Sequence, residues 1–142
     1  MSGSDFVAEA RRWLQFAHDD ADAARALANT GNAKPRHVCW HWQQAAEKAI
    51  KAALILDGIV FPRTHDLDTL ADLLPDRWER DALPELGELS QWAVESRYPG
   101  LWDEPTRDDD AFAFRFAKRC RSFFVIHRDH GKRTVIGFGV PK

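Results

Sequence analysis

Four groups of side chains in this sequence have types and spacings that can do chemistry. His37 and His41 stand four residues apart, a metal-compatible spacing if both lie on one helix face, but no third strong ligand is near and Trp40 and Trp42 flank the second histidine. No metal or cofactor is expected there. Lys48 and Lys51, three apart and close to Gln44, can share a helix face and attract a phosphate, although solvated lysines on an amphipathic helix are the ordinary case. His65 lies between Thr64 and Asp66, where it either orients a helix start or touches a nucleotide. Arg97 and Tyr98 precede Pro99 and Gly100; they can ion-pair with a phosphate and stack on a base, or tie their loop to the bundle. The phosphate-binding loop, the dinucleotide fingerprint, the hydrolase elbow and the zincin H-E-x-x-H are all absent from the sequence.

The elements that would carry these residues read as helices. Phe6, Ala10, Trp13, Leu14, Ala17, Ala21, Ala24 and Ala28 recur at steps of three and four, predicting one long helix that Gly31 stops. Pro35 suits the first turn of a second helix, whose stripe Val38, Trp42, Ala45, Ala49, Ala52 and Leu56 ends before Gly58. Thr64 or Asp66 caps a short helix through Leu67, Leu70, Leu73 and Leu74, ended by Pro75. Asp76 and Glu79 have capping-box spacing, and a better periodicity starts after Pro84 with Leu86, Leu89 and Ala93 before Pro99-Gly100 breaks it. Residues 97–107 read as a loop. Thr106 and Asp109 open a final helix expected to run to about His130, with Gly131 ending it and Thr134–Val140 either an extended tail or disordered. The fold class is all-α: an antiparallel bundle of about four main helices plus one short one, with residues 1–130 as a single domain and 131–142 as a tail.

Composition agrees with one folded domain. The 142 residues are 44% apolar with six Trp and nine Phe, enough large side chains for a core and too many for a disordered chain. No apolar run reaches membrane-spanning length and Met1-Ser2-Gly3-Ser4-Asp5 lacks a signal-peptide pattern, so a soluble cytoplasmic chain with no membrane contact is expected. Cys39 and Cys120 are far apart and read as small core residues. Charge divides unevenly: residues 1–114 hold 12 Lys and Arg against 21 Asp and Glu, whereas 115–142 hold 8 against 1. Such a basic end suits a solvated helix, a phosphate surface or an acidic partner. Trp13 and Trp42 fall on core stripes, but Trp40, Trp78, Trp92 and Trp102 cannot all point inward, so some should cover a dimer face or a groove.

Three blocks carry a resemblance. Gln43-Gln44-Ala45-Ala46-Glu47-Lys48-Ala49-Ile50-Lys51-Ala52-Ala53-Leu54 on the second helix, Thr64-His65-Asp66-Leu67 at the third and Ser96-Arg97-Tyr98-Pro99-Gly100 after the fourth together resemble the HEPN domain family, over roughly residues 6–130. The resemblance implies a small helical bundle that forms a homodimer, pairs with a minimal nucleotidyltransferase in a toxin-antitoxin arrangement and binds a nucleotide or RNA.

Some HEPN domains are metal-independent ribonucleases with an Arg followed after four to six residues by a His. Arg121 and His127, with five residues between them, meet that pattern. By the resemblance Arg121 would clamp the phosphate and His127 would act as base or acid, which suits a guanidinium and an imidazole near neutral pH. Within one regular helix the two would stand about 120° apart around the axis with about 9 Å of rise. A two-fold dimer could bring both pairs to one cleft, with Arg128 and His130 adding phosphate contacts. Ribonuclease toxins paired with a nucleotidyltransferase often have a Tyr two residues after the motif His; here that position is Asp129.

Overall fold

The computed structural model of the chain describes residues 2–78, 86–95, 99–100, 103, 105–108, 111, 127–129 and 133–135. Helix α1, Gly3–Thr30, opens on a capping box in which the Ser2 side chain accepts from the Asp5 N–H and the Asp5 carboxylate accepts from the Ser2 N–H. It stops at Gly31, whose φ of 71° lies in the left-handed region that a Cβ disfavours. Four residues later Pro35 starts α2, Pro35–Leu56, so the two long helices form a hairpin with a four-residue link.

The α1 stripe Ala10, Leu14, Ala17, Ala21 and Ala24 is buried against α2, and its small side chains let the two axes approach closely. From Trp42 to Leu54 every α2 residue except Lys48 is buried, which makes α2 the central helix. Helix α3, Leu67–Asp72, is capped by the Asp66 carboxylate accepting from the Asp68 N–H. A single 3-10 turn, Asp76–Trp78, follows and is tied to the end of α2: Trp78 Nε1 donates to Asp57 Oδ2 at 2.6 Å, and Arg77 pairs with the same carboxylate. Helix α4, Leu86–Glu95, packs Leu86 and Leu89 into the core beside α2 and α3. Ser90 Oγ accepts from the Leu67 N–H at 2.9 Å, an otherwise orphaned donor in the first turn of α3.

The architecture is the expected helical bundle, and the starts and stops at Gly31, Pro35, Asp66 and Leu86 fall where the sequence puts them. The far end differs. His127–Asp129 forms strand β1, paired antiparallel with β2, Arg133–Val135, in the register His127 to Val135 and Asp129 to Arg133. The final helix therefore does not reach His130. Three residues with Gly131 at their centre separate the strands, and the β-branched Thr134 and Val135 within β2 favour extended backbone over helix. Most of the span expected to form that helix, residues 112–126, lies outside the described residues, as does Cys120. Cys39 is buried in the core as expected. No helix among the described residues is long and apolar enough to cross a membrane.

Candidate functional site

Helix α2 carries polar side chains where its apolar neighbours leave them no exit to water. Gln43, Glu47 and Lys51 follow each other at steps of four and so form one row along the helix. Elsewhere such a row would be a solvated face. Here Ala45, Ala46, Ala49, Ile50, Ala52, Ala53 and Leu54 make the helix apolar on its other sides, and Glu47 and Lys51 are only 4% and 8% exposed. Burying charge is costly unless it is paired and hydrogen-bonded. Glu47 meets that demand with three partners: Lys51 Nζ at 2.6 Å on Oε1, and Gln43 Nε2 at 3.1 Å and His65 Nδ1 at 2.9 Å on Oε2. Burial by itself would push the Glu47 carboxyl up, but hydrogen bonds from Lys51, His65 and Gln43 outweigh it and hold the group below its ordinary value.

Gln43 extends the network. Its Nε2 also donates to the His65 carbonyl at 3.2 Å, and its Oε1 accepts from Gln44 Nε2 at 2.7 Å. The segment between α2 and α3 is thus clasped to the central helix through both the ring and the backbone of His65. Lys51 makes further use of its position, with Nζ 5.8 Å from the Trp13 ring centroid and 5.6 Å from that of Phe61. The two rings meet edge to face at 6.3 Å.

A second cluster bridges α1 and α2. Asp20 of α1 pairs with Lys48 through Oδ2, and its Oδ1 lies 3.2 Å from His41 Nδ1. Burial again raises the Asp20 carboxyl, and the bonds to His41 and Lys48 more than offset it, leaving the group below its ordinary value. Lys48 forms the border of a cavity of about 250 Å³ that Glu9, Arg12, Trp13 and Phe16 complete. Glu9 fixes this wall: Oε1 accepts from Trp13 Nε1 at 3.1 Å and Oε2 from Arg12 Nη1 at 3.0 Å. Phe16 is 56% exposed, a large apolar surface for a side chain on a helix.

Of the residues singled out in the sequence, Lys51 and His65 meet on Glu47 while Lys48 pairs separately with Asp20, so each has a carboxylate partner although the His65 side chain remains half exposed. Helix capping at Thr64-His65-Asp66 falls to Asp66, while His65 reaches back to Glu47. His41 is held by Asp20, and His37 is exposed one turn away. Arg97, Tyr98, Arg121 and His130 lie outside the described residues; His127 and Arg128 are placed only as backbone of β1. Trp78 and Trp42 are in the core, whereas Trp13 contributes to the cavity; Trp92 is placed only as backbone of α4, and Trp102 lies outside the described residues.

Asp20, Glu47, Gln43, Glu9 and Phe16 were not apparent as site residues in the sequence. A usable signal exists for Glu47 alone, a carboxylate flanked by apolar residues on most sides of an alanine-rich helix.

A family model for the HEPN domain matches residues 10–127. A curated protein of Methanocaldococcus jannaschii named "Putative toxin MJ1304" is 32% identical, the match covering 77% of this chain and 82% of that protein. No solved structure matches.

Proposed function

The chain belongs to the HEPN domain family, and from that premise we propose that it is a toxin-type module that binds a nucleotide or a partner protein, working with a minimal nucleotidyltransferase. The observation that carries this reading is the face shared by α1 and α2. Lys48 stands there beside an open, largely apolar cavity, in a chain whose sequence similarity to a protein named as a toxin extends over most of both chains. A concave apolar site with a few convergent polar groups is the usual form of a small-molecule site. The clasped Glu47, Lys51 and His65 support it from behind by fixing the helix on which Lys48 stands. A homodimer, the common state of the family, would present two such faces.

The test is binding on the full chain. Radiolabelled nucleotide should be retained in equilibrium dialysis, and a nucleotidyltransferase encoded beside this chain should co-purify with it, both surviving His127→Ala. Loss of both in the folded wild type would overturn the proposal.

A second reading rests on one specific observation: the family match runs to residue 127 and so takes in both Arg121 and His127. On this reading the protein is a metal-independent endoribonuclease, with Arg121 as phosphate clamp, His127 as base or acid, and Arg128 and His130 as phosphate contacts at a two-fold cleft. Position 129 is Asp, so this chain offers no tyrosine there for a partner to modify. Mixed single-stranded and structured RNA incubated in EDTA with wild type, Arg121→Ala and His127→Ala separates the two readings. Cleavage abolished by both substitutions establishes the nuclease; RNA left intact by every version supports the binding module.

A further inference from the structure

We infer that the cavity lined by Glu9, Arg12, Trp13, Phe16 and Lys48 is a subsite for a nucleobase, and that it prefers bases carrying an exocyclic amino group. The inference rests on the nucleotide-binding reading above and adds to it which part of the ligand is held, and by what.

Size comes first. At about 250 Å³ the cavity falls just under the roughly 300–1,000 Å³ of pockets that enclose a drug-sized ligand. It has room for one planar ring system, with sugar and phosphate left outside. Next is the wall. Trp13 is immobilised by its Nε1 bond to Glu9 and by the Phe61 edge at 6.3 Å, while the Lys51 ammonium lies 5.8 Å from its ring. A ring already fixed in place loses little freedom on stacking, which is the advantage of a preorganised site. Phe16 adds a second aromatic surface that water now covers over half its area.

Charge then decides which end of a nucleotide fits. Both cations at the rim are already paired, Arg12 with Glu9 and Lys48 with Asp20. The rim is therefore close to neutral and gives a phosphate little to gain. Its hydrogen-bonding groups, in contrast, are only partly used. The Glu9 carboxylate spends one bond on each oxygen and each oxygen can accept another; the Lys48 ammonium keeps donors beyond the one given to Asp20. An aromatic wall with an acceptor and a donor at its border complements the edge of adenine, guanine or cytosine, which offers an amino donor next to a ring acceptor. Uracil has no amino group to give Glu9. An aliphatic protein side chain would use neither and would strip water from both.

The experiment is equilibrium binding of adenosine, adenosine monophosphate and uridine to the full 142-residue chain, repeated with Phe16→Ala and Trp13→Phe after circular dichroism shows both folded. Phe16 is exposed, so its truncation tests the site without disturbing the core. Adenosine and its monophosphate should bind alike, with little dependence on salt, uridine more weakly, and Phe16→Ala should weaken adenosine by about tenfold. Adenosine bound equally well by wild type and both variants would overturn the subsite and leave nucleotide binding elsewhere on the protein intact. A monophosphate much tighter than the nucleoside, with steep salt dependence, would overturn it in favour of a phosphate site. If wild type binds none of the three, the nucleotide reading itself falls. If Phe16→Ala instead releases a co-purifying protein, the cavity is a protein-docking groove.

Discussion

Truncating Glu47 would leave the Lys51 ammonium, its side chain 10% exposed, without the carboxylate that lies 2.6 Å away. Breaking one side of a buried pair is far more costly than removing both, so Glu47→Ala should lower stability by about 3–5 kcal/mol in urea unfolding. Glu47→Leu combined with Lys51→Met should recover most of that loss; a double variant no better than the single would show that the charges are not what couples the two positions. The same carboxylates set the acid limit of the fold. Glu47 and Asp20 are held below their ordinary values of 4.5 and 3.8, so the unfolded chain takes up their protons first as pH falls. Their stabilisation is complete above that range and is lost as pH drops through the lower folded values. A melting temperature followed from pH 6 to pH 3 should fall steeply for wild type and less for Glu47→Gln with Asp20→Asn; parallel curves would contradict the assignment. Lys48, Lys51 and His65 were legible in the sequence as residues worth noticing, but their partners were not. Asp20 and Glu9 are acidic residues on a long helix like several others, and only the packing of α1 on α2 distinguishes them.

Two glycines in the elements should respond in opposite ways to the same substitution. Gly31 ends α1 at a φ of 71°, where a Cβ is strained whatever space surrounds it, and Gly31→Ala should cost about 1–2 kcal/mol. Gly87 is helical, and a Cβ there would meet the Asp68 carboxylate at 3.0 Å. That carboxylate is the far end of a flexible, exposed side chain and can swing aside into water. Gly87→Ala should therefore gain up to about 1 kcal/mol from helix propensity, and thermal melts of the two variants should move to opposite sides of wild type. The elements were largely legible because each has a punctuating residue: Gly31, Pro35, Gly58, Asp66 and the Leu86/Leu89 pair. The β1–β2 hairpin was not, since strands of three residues are too short to show a period of two and stand where a helical stripe could be continued on paper to His127.

At the scale of the molecule, the three sequence blocks and the helical pattern disclosed the family, while the cavity stayed hidden. It arises where a second row on α1, with Trp13 and Phe16 beside the alanine stripe, meets Lys48 of α2, and that meeting depends on the closeness the alanines allow. The same hairpin has a consequence in time. With a link of only four residues, α1 and α2 can pair outward from their joined ends at little loop-closure entropy, even though later contacts such as Asp20 to Lys48 stand 28 residues apart. The clasp from His65 back to Glu47 and the Ser90 bond to α3 instead depend on links of 10 and 13 residues, those between α2 and α3 and between α3 and α4. Ala17→Gly should accordingly slow refolding in stopped-flow mixing, whereas Ser90→Ala should mainly speed unfolding. The helical hairpin should then serve as the nucleus onto which α3 and α4 condense, with the face that bears Trp13 and Lys48 assembled before the remainder of the bundle has closed around α2.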